Sequence, residues 1–172
     1  MSDGLTTTAA ASAAVGVFKI ALGVEYKGSR YRGFQRQRAG VPTIQESLEK
    51  ALAKVAGGVP VTLSCAGRTD ALVHASAQVV HFNTPVERSM HAWVMGANMN
   101  LPGDISVTWA KSMPAHFDAR FCAQARRYRY VIYNDQIRPA HMAEEVTWNH
   151  RPLDVERMRE AAKAFIGTHD FS

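Results

Sequence analysis

Thr43-Ile44-Gln45-Glu46-Ser47-Leu48-Glu49-Lys50-Ala51-Leu52-Ala53-Lys54-Val55-Ala56-Gly57-Gly58 carries a complete local code for one helix. Thr43 followed three residues later by Glu46 is a capping box, in which the hydroxyl takes a backbone N–H of the first turn. Ile44, Leu48, Leu52 and Val55 recur at helical spacing and lay down a single apolar stripe. Gly57-Gly58 supplies the stop. The segments on either side change period. Upstream, Phe18, Ile20, Leu22, Val24 and Tyr26 alternate with smaller or polar residues, as in a half-buried strand. Downstream, Val61, Leu63 and Cys65 alternate again, a short connection at 67–75 follows, and Gln78-Val79-Val80-His81-Phe82 reads as a third strand.

A segment started by Pro85, with Met90, Trp93, Val94 and Ala97, predicts a second helix, and Ile105, Val107 and Trp109 a fourth strand. Further on, Tyr128, Tyr130 and Ile132 share one face of another expected strand, with Arg127 and Arg129 on the other. A last helix is expected from about Asp154 to Gly167, carrying Met158, Ala161, Phe165 and Ile166. The class is therefore α+β, an antiparallel or mixed sheet with helices on one face. Its β-α-β-β-α-β core is the order of the ferredoxin-like, RNA-recognition-type fold. No internal repeat and no linker divides residues 17–172. Residues 1–16, rich in Ala, Ser and Thr and without Lys or Arg, are expected to form a flexible tail; they lack the charged start of a signal peptide.

Lys and Arg outnumber Asp and Glu by 20 to 15 in 172 residues, a net charge of +5. That balance favours an anionic partner, nucleic acid ahead of a membrane surface. No apolar run approaches membrane-spanning length. Cys65 and Cys122, far apart and without ligand spacing, read as thiols in a reducing cytoplasm. The histidines at 74, 81, 91, 116, 141, 150 and 169 show no metal-ligand spacing, and His81, in an apolar strand, reads as a hydrogen-bonded core residue. No G-x-G-x-x-G, G-x-x-x-x-G-K or G-x-S-x-G occurs, so neither a nucleotide cofactor nor a nucleophile elbow is expected.

Two kinds of segment carry chemistry. In Gly67-Arg68-Thr69-Asp70-Ala71-Leu72-Val73-His74-Ala75 a carboxylate and a guanidinium stand two residues apart on a loop between strands, where catalytic groups tend to sit. A cation beside Asp70 favours its charged form, which serves as nucleophile or electrostatic stabiliser at a glycosidic bond; the same spacing also suits an Asp that caps its own turn. In addition, arginines alternate with aromatics around Tyr31 and Phe34, and again from Phe117 to Tyr133. RNA-binding surfaces use guanidinium groups for phosphates and rings for splayed bases, although core rings on a solvated strand give the same pattern.

Taken together, Cys65-Ala66-Gly67-Arg68-Thr69-Asp70-Ala71, Val73-His74-Ala75 and Gln78-Val79-Val80-His81-Phe82 resemble the tRNA pseudouridine synthase A family. Tyr31, Gly33-Phe34-Gln35, Asn100-Leu101-Pro102-Gly103-Asp104, Phe117, Ala119-Arg120-Phe121 and Arg127-Tyr128-Arg129-Tyr130 agree as well, in order and over nearly all of residues 17–172. The resemblance implies conversion of uridine to pseudouridine at positions 38 to 40 of the tRNA anticodon stem-loop. It makes Asp70 the catalytic aspartate, Tyr128 the ring that packs on the target uridine and Arg68 the arginine that assists nucleotide flipping. It makes Arg88, Phe117, Arg120 and Phe121 tRNA contacts. It further implies a cytoplasmic homodimer without cofactor or metal. Whether Asp70 attacks sugar or base, or takes a proton from C2′, stays open.

Two departures from the family pattern stand out. Leu72 occupies a position where the family has glycine; in a left-handed backbone leucine costs about 1–2 kcal/mol. The chain also ends where family members continue into a second, similar half, so residues 17–172 are expected to be the N-terminal, aspartate-bearing portion, poorly active alone. Two other classes compete. A non-catalytic RNA-binding module keeps the sheet and makes the loop structural. A sugar or nucleoside hydrolase would need a second carboxylate, for which Glu25, Asp104 and Asp118 are available.

Overall fold

The computed structural model describes residues 16–170, and the tail expected over 1–16 lies, Gly16 apart, outside them. The chain forms two compact units that divide after Arg126. The first runs β1 (Phe18–Tyr26), α1 (Ile44–Val55), β2 (Ser64–Cys65), β3 (Ala75–Thr84), α2 (Met90–Asn100) and β4 (Ile105–Met113). Its four strands lie in the order β2-β3-β1-β4 with antiparallel neighbours throughout. This is the expected α+β sheet in the expected β-α-β-β-α-β order.

Register explains the core. Ile20 and Leu22 of β1 lie opposite Phe82 and Val80 of β3, and Val24 opposite Val107 of β4. These side chains are buried together with Leu48 and Leu52 of α1 and Trp93 and Ala97 of α2. Trp93 meets Phe82 edge to face at 5.1 Å, a geometry that adds to the area both rings bury. The capping box is half realised. Thr43 Oγ1 accepts from the Glu46 N–H at 3.3 Å, while the Glu46 carboxylate turns to Lys50 one turn on.

Several boundaries differ from expectation, the last helix among them, which ends at Ala162 and not at Gly167. The second helix begins at Met90, five residues after Pro85, because the Ser89 hydroxyl accepts the Ala92 N–H and caps it there. The second strand shrinks from Val61–Cys65 to Ser64–Cys65. Val61 and Leu63 remain buried, but the Leu63 N–H goes to the carboxylate of Glu49 at 3.0 Å instead of to a strand ladder. The strand expected at Tyr128, Tyr130 and Ile132 keeps only its last member.

The second unit runs β5 (Ile132–Asn134), β6 (Thr147–Asn149) and α3 (Val155–Ala162), closed by a 3-10 turn at Lys163–Phe165. β5 and β6 pair in parallel, Ile132 opposite Thr147. Tyr128 and Tyr130 precede β5 and are exposed. Asp154 caps α3 by accepting from the Arg157 N–H at 3.0 Å. The apolar residues expected on this helix, Met158, Phe165 and Ile166, are exposed.

Candidate functional site

The loop between β2 and β3 is stitched at both ends. The Ala66 N–H continues the ladder to the Val79 carbonyl at 2.8 Å, and Gln78 Nε2 donates to the Gly67 carbonyl at 2.6 Å. At the tip the Val73 N–H returns to the Asp70 carbonyl at 3.3 Å, closing a turn that holds Leu72 at φ +69°. Leu72 is the one residue other than glycine with positive φ among the described residues. Leucine thus occupies a left-handed position under strain.

A second loop, residues 27–38, lies against the first. Phe34 N–H donates to the Thr69 carbonyl at 2.9 Å and Leu72 N–H to the Tyr31 carbonyl at 3.3 Å. The hydroxyls of Tyr26 and Thr69 share a hydrogen bond at 2.8 Å, and the Gly28 N–H donates to His74 Nδ1 at 3.0 Å. The approach is close enough that a Cβ on Gly28 would fall 2.1 Å from the Val73 carbonyl oxygen. Gly33, at φ +94°, turns the chain between these contacts.

Two carboxylates hold the second loop in place. Asp104 accepts from the Tyr31 hydroxyl at 2.8 Å and from Arg30 Nε and Nη2 at 2.9 and 2.7 Å. Burial alone would raise the Asp104 carboxyl, but the hydrogen bonds from Tyr31 and Arg30 outweigh it and hold the group below the usual carboxylate range. Burial, reinforced by the bond to Asp104, pushes the Tyr31 hydroxyl up to about 12. On α1, buried Glu49 accepts from Arg36 Nη1 at 3.0 Å, Gln45 Nε2 at 2.8 Å and the Leu63 N–H at 3.0 Å.

Between the loops is an open cavity of about 420 Å³, lined by Arg32, Gly33, Gln35, Arg36, Gln37, Arg68, Thr69, Asp70 and Ala71. Its size is that of a small-ligand pocket. Arg68 and Asp70 are both exposed in its wall. Among the described residues the Asp70 carboxylate neither caps its own turn nor pairs with Arg68, and Asp70 lines the cavity. Arg32, Arg36, Gln35 and Gln37 complete this wall. Sequence reasoning placed them in a basic stretch but did not bring them to Asp70, because the contact between the loops is long-range.

The other expected site residues fall elsewhere. Arg88 is exposed just before α2, with Nη1 on the Glu87 carbonyl. The segment from Pro114 to Cys122 is anchored by Lys19 Nζ, which donates to the carbonyls of Ala115 and Phe117 at 2.7 Å each. Phe117 lies edge-on against His81 at 5.7 Å, and His81 Nδ1 accepts the Ala119 N–H at 3.1 Å. Burial lowers the His81 pKa against the opposing pull of Asp118. His81 is thus the hydrogen-bonded core residue its strand suggested. Asp118 accepts from the N–H groups of Arg120 and Phe121, which leaves Phe121 80% exposed with the Arg120 guanidinium 5.6 Å from its ring. The segment's downstream end returns to the Asp70 loop, where Arg126 Nε donates to the Ala66 carbonyl at 3.0 Å. Tyr128 belongs to the second unit and is 72% exposed.

Among the described residues no group of three or more His, Cys, Asp or Glu is placed to hold a metal ion. None of their helices is long and apolar enough to cross a membrane.

Residues 23–122 match a family model described as tRNA pseudouridine synthase. The chain is 72% identical, over all of its 172 residues, to a tRNA pseudouridine synthase A of Pseudomonas aeruginosa, of which it covers 60%. It is 58% identical over 156 residues, 91% of its length, to the enzyme of the same name from Klebsiella pneumoniae, covering 57% of that protein. Over the same share of both chains it is 56% identical to that of Escherichia coli O1:K1. The chain therefore spans about 60% of the length of the curated relatives it matches.

Proposed function

This chain belongs to the tRNA pseudouridine synthase family, and on that premise we propose that it is the aspartate-bearing portion of an enzyme that isomerises uridine to pseudouridine at positions 38 to 40 of the tRNA anticodon stem-loop. The observation that carries the reading is the exposed carboxylate of Asp70 in the wall of a basic cavity, without an internal ion pair among the described residues. A carboxylate committed to structure would be spent. This one is available to a substrate.

The reaction balances without a redox partner. The N1–C1′ bond breaks, the uracil turns, C5 bonds to C1′, the C5 hydrogen leaves as a proton and N1 takes one up. Reaching that bond in a stacked stem requires extruding the nucleotide, at a cost of a few kcal/mol. In this assignment Asp70 acts on the ribose or the base, Arg68 occupies the space the nucleotide vacates and Tyr128 offers a flat face to the freed ring. Arg88, Phe117, Arg120 and Phe121 contact the tRNA. Phe121 and Arg120, stacked and exposed, have the ring-plus-cation form that suits unpaired bases. By family likeness the working enzyme is a cytoplasmic homodimer whose second half forms the other wall of the cleft.

None of the three acids open to the hydrolase reading, Glu25, Asp104 and Asp118, lines the cavity of Asp70, and Asp104 is bonded to Tyr31 and Arg30 and Asp118 to two backbone N–H groups. The binding-module reading differs from the isomerase in a single residue. Tritium release from tRNA labelled at uracil C5 separates them, because that hydrogen leaves only when the new carbon–carbon bond forms. In the complete polypeptide containing this chain, release should be abolished by Asp70→Ala while tRNA affinity stays within a few-fold. Release that survives Asp70→Ala, or is absent from the parent, would overturn the assignment.

A further inference from the structure

Four arginines crowd the loop after β1, at positions 30, 32, 36 and 38, and the fold uses them differently. Arg30 gives two N–H groups to Asp104. Arg36 lines the cavity but is paired with the buried carboxylate of Glu49 at 3.0 Å. Arg38 lies outside the cavity wall. Arg32 lines the cavity with Asp70, is exposed, and has no ion pair among the described residues.

The backbone that carries Arg32 is held from several sides. Its N–H donates to the Pro42 carbonyl at 2.9 Å, and its carbonyl accepts from Gln37 Nε2 at 2.6 Å. One residue on, the Gly33 carbonyl accepts the Ile44 N–H at the start of α1, and two residues on, the Phe34 N–H reaches Thr69. Through these neighbours the backbone at Arg32 is tied both to the first helix and to the loop of Asp70.

We propose that Arg32 is a phosphate anchor, binding an RNA phosphodiester next to the nucleotide whose base enters the Asp70 cavity. The inference rests on the isomerase reading and names a contact within its site. A guanidinium matches phosphate with two parallel hydrogen bonds. Arg30 and Arg36 would have to leave carboxylates to make such a contact, whereas Arg32 gives up only water. A pinned backbone also lowers the ordering cost of binding.

The test is the affinity of the complete polypeptide containing this chain for an anticodon stem-loop RNA hairpin, measured by fluorescence anisotropy across a series of KCl concentrations. Arg32→Gln should weaken binding roughly three- to tenfold at low salt and flatten the slope of log Kd against log [KCl] by about one, the signature of one lost phosphate contact. Arg32→Lys should restore the slope. The loss should persist when the target uridine of the hairpin is replaced by cytidine, since phosphate contacts carry no base information. Arg32 is exposed, so an unchanged thermal midpoint is expected for Arg32→Gln, and Arg32→Met gives a second neutral variant. A parental slope retained in both neutral variants would overturn the anchor while leaving the isomerase reading intact. A parent that shows no salt-dependent hairpin binding would sink the RNA reading itself, and the anchor with it.

Discussion

The Tyr31 hydroxyl donates to Asp104 Oδ1 at 2.8 Å across 73 residues of sequence, and through that bond the loop after β1 is tied to the residue before β4. Tyr31 is buried and its carbonyl receives the Leu72 N–H, so a carboxylate on one edge of the sheet steadies the loop that bears Asp70. A hydrogen bond to a charged group contributes roughly 1.5–3 kcal/mol. Tyr31→Phe should therefore lower the unfolding free energy by about that amount, seen as an earlier urea midpoint. Asp104 also sets an acid limb. Its folded pKa lies below the unfolded value, so its contribution is present above pH ~4 and lost as pH falls through the folded pKa. Removing the Tyr31 donor should make that limb shallower. An acid limb and midpoint unchanged in Tyr31→Phe would show that Arg30 alone holds Asp104.

Leu72 predicts an effect of the opposite sign. Its φ of +69° costs leucine about 1–2 kcal/mol, which glycine would relieve. Glycine in turn loses about 0.5–1 kcal/mol more backbone entropy on folding. Leu72→Gly should thus stabilise the chain by up to about 1.5 kcal/mol, whereas Leu72→Ala, which keeps a Cβ, should not. The exposed side chain gives up little packing in either case. Equal midpoints for the two variants would mean that the turn relaxes around leucine.

What was legible in the sequence follows the range of the interactions. The helix at Ile44–Val55 could be read because its cap, stripe and stop lie within one short window. The strand alternations around Leu22, Val80 and Val107 were legible because one buried sheet face imposes a period of two. Tyr128 and Tyr130 follow the same alternation yet lie outside any strand, because β6 offers pairing only from Ile132 onward. The division after Arg126 has no Pro- or Gly-rich marker. At the site, Asp70 and Arg68 were found by motif. Asp104, Glu49 and Arg32 were not placed there, since each acts through contacts between distant segments.

Gly28 gives a steric prediction. Any Cβ there would meet the Val73 carbonyl oxygen at 2.1 Å, and that atom is backbone with little room to yield. Gly28→Ala should force the two loops apart and cost about 1–3 kcal/mol, the range of overpacking. Because Val73 closes the turn at Asp70, tritium release should fall by more than the stability change explains. Full activity at a temperature where the variant is folded would show that the separation of the loops is not critical.

His81 makes stability depend on pH near neutrality. Its Nδ1 accepts the Ala119 N–H, which requires that nitrogen to be unprotonated, and burial lowers its pKa below the ordinary value. The unfolded chain therefore binds the proton first. Stability from this group is complete above pH ~6.5 and declines as pH falls through the folded pKa. His81→Asn keeps an oxygen able to accept from Ala119 and cannot titrate. The parent's thermal midpoint should fall more steeply between pH 7 and 5 than the variant's, the difference isolating His81 from the other histidines. Parallel curves would mean that the Ala119 bond survives protonation. In that case the Phe117 segment is held by Lys19, whose ammonium bonds the carbonyls of Ala115 and Phe117, and Lys19→Met should loosen it at every pH.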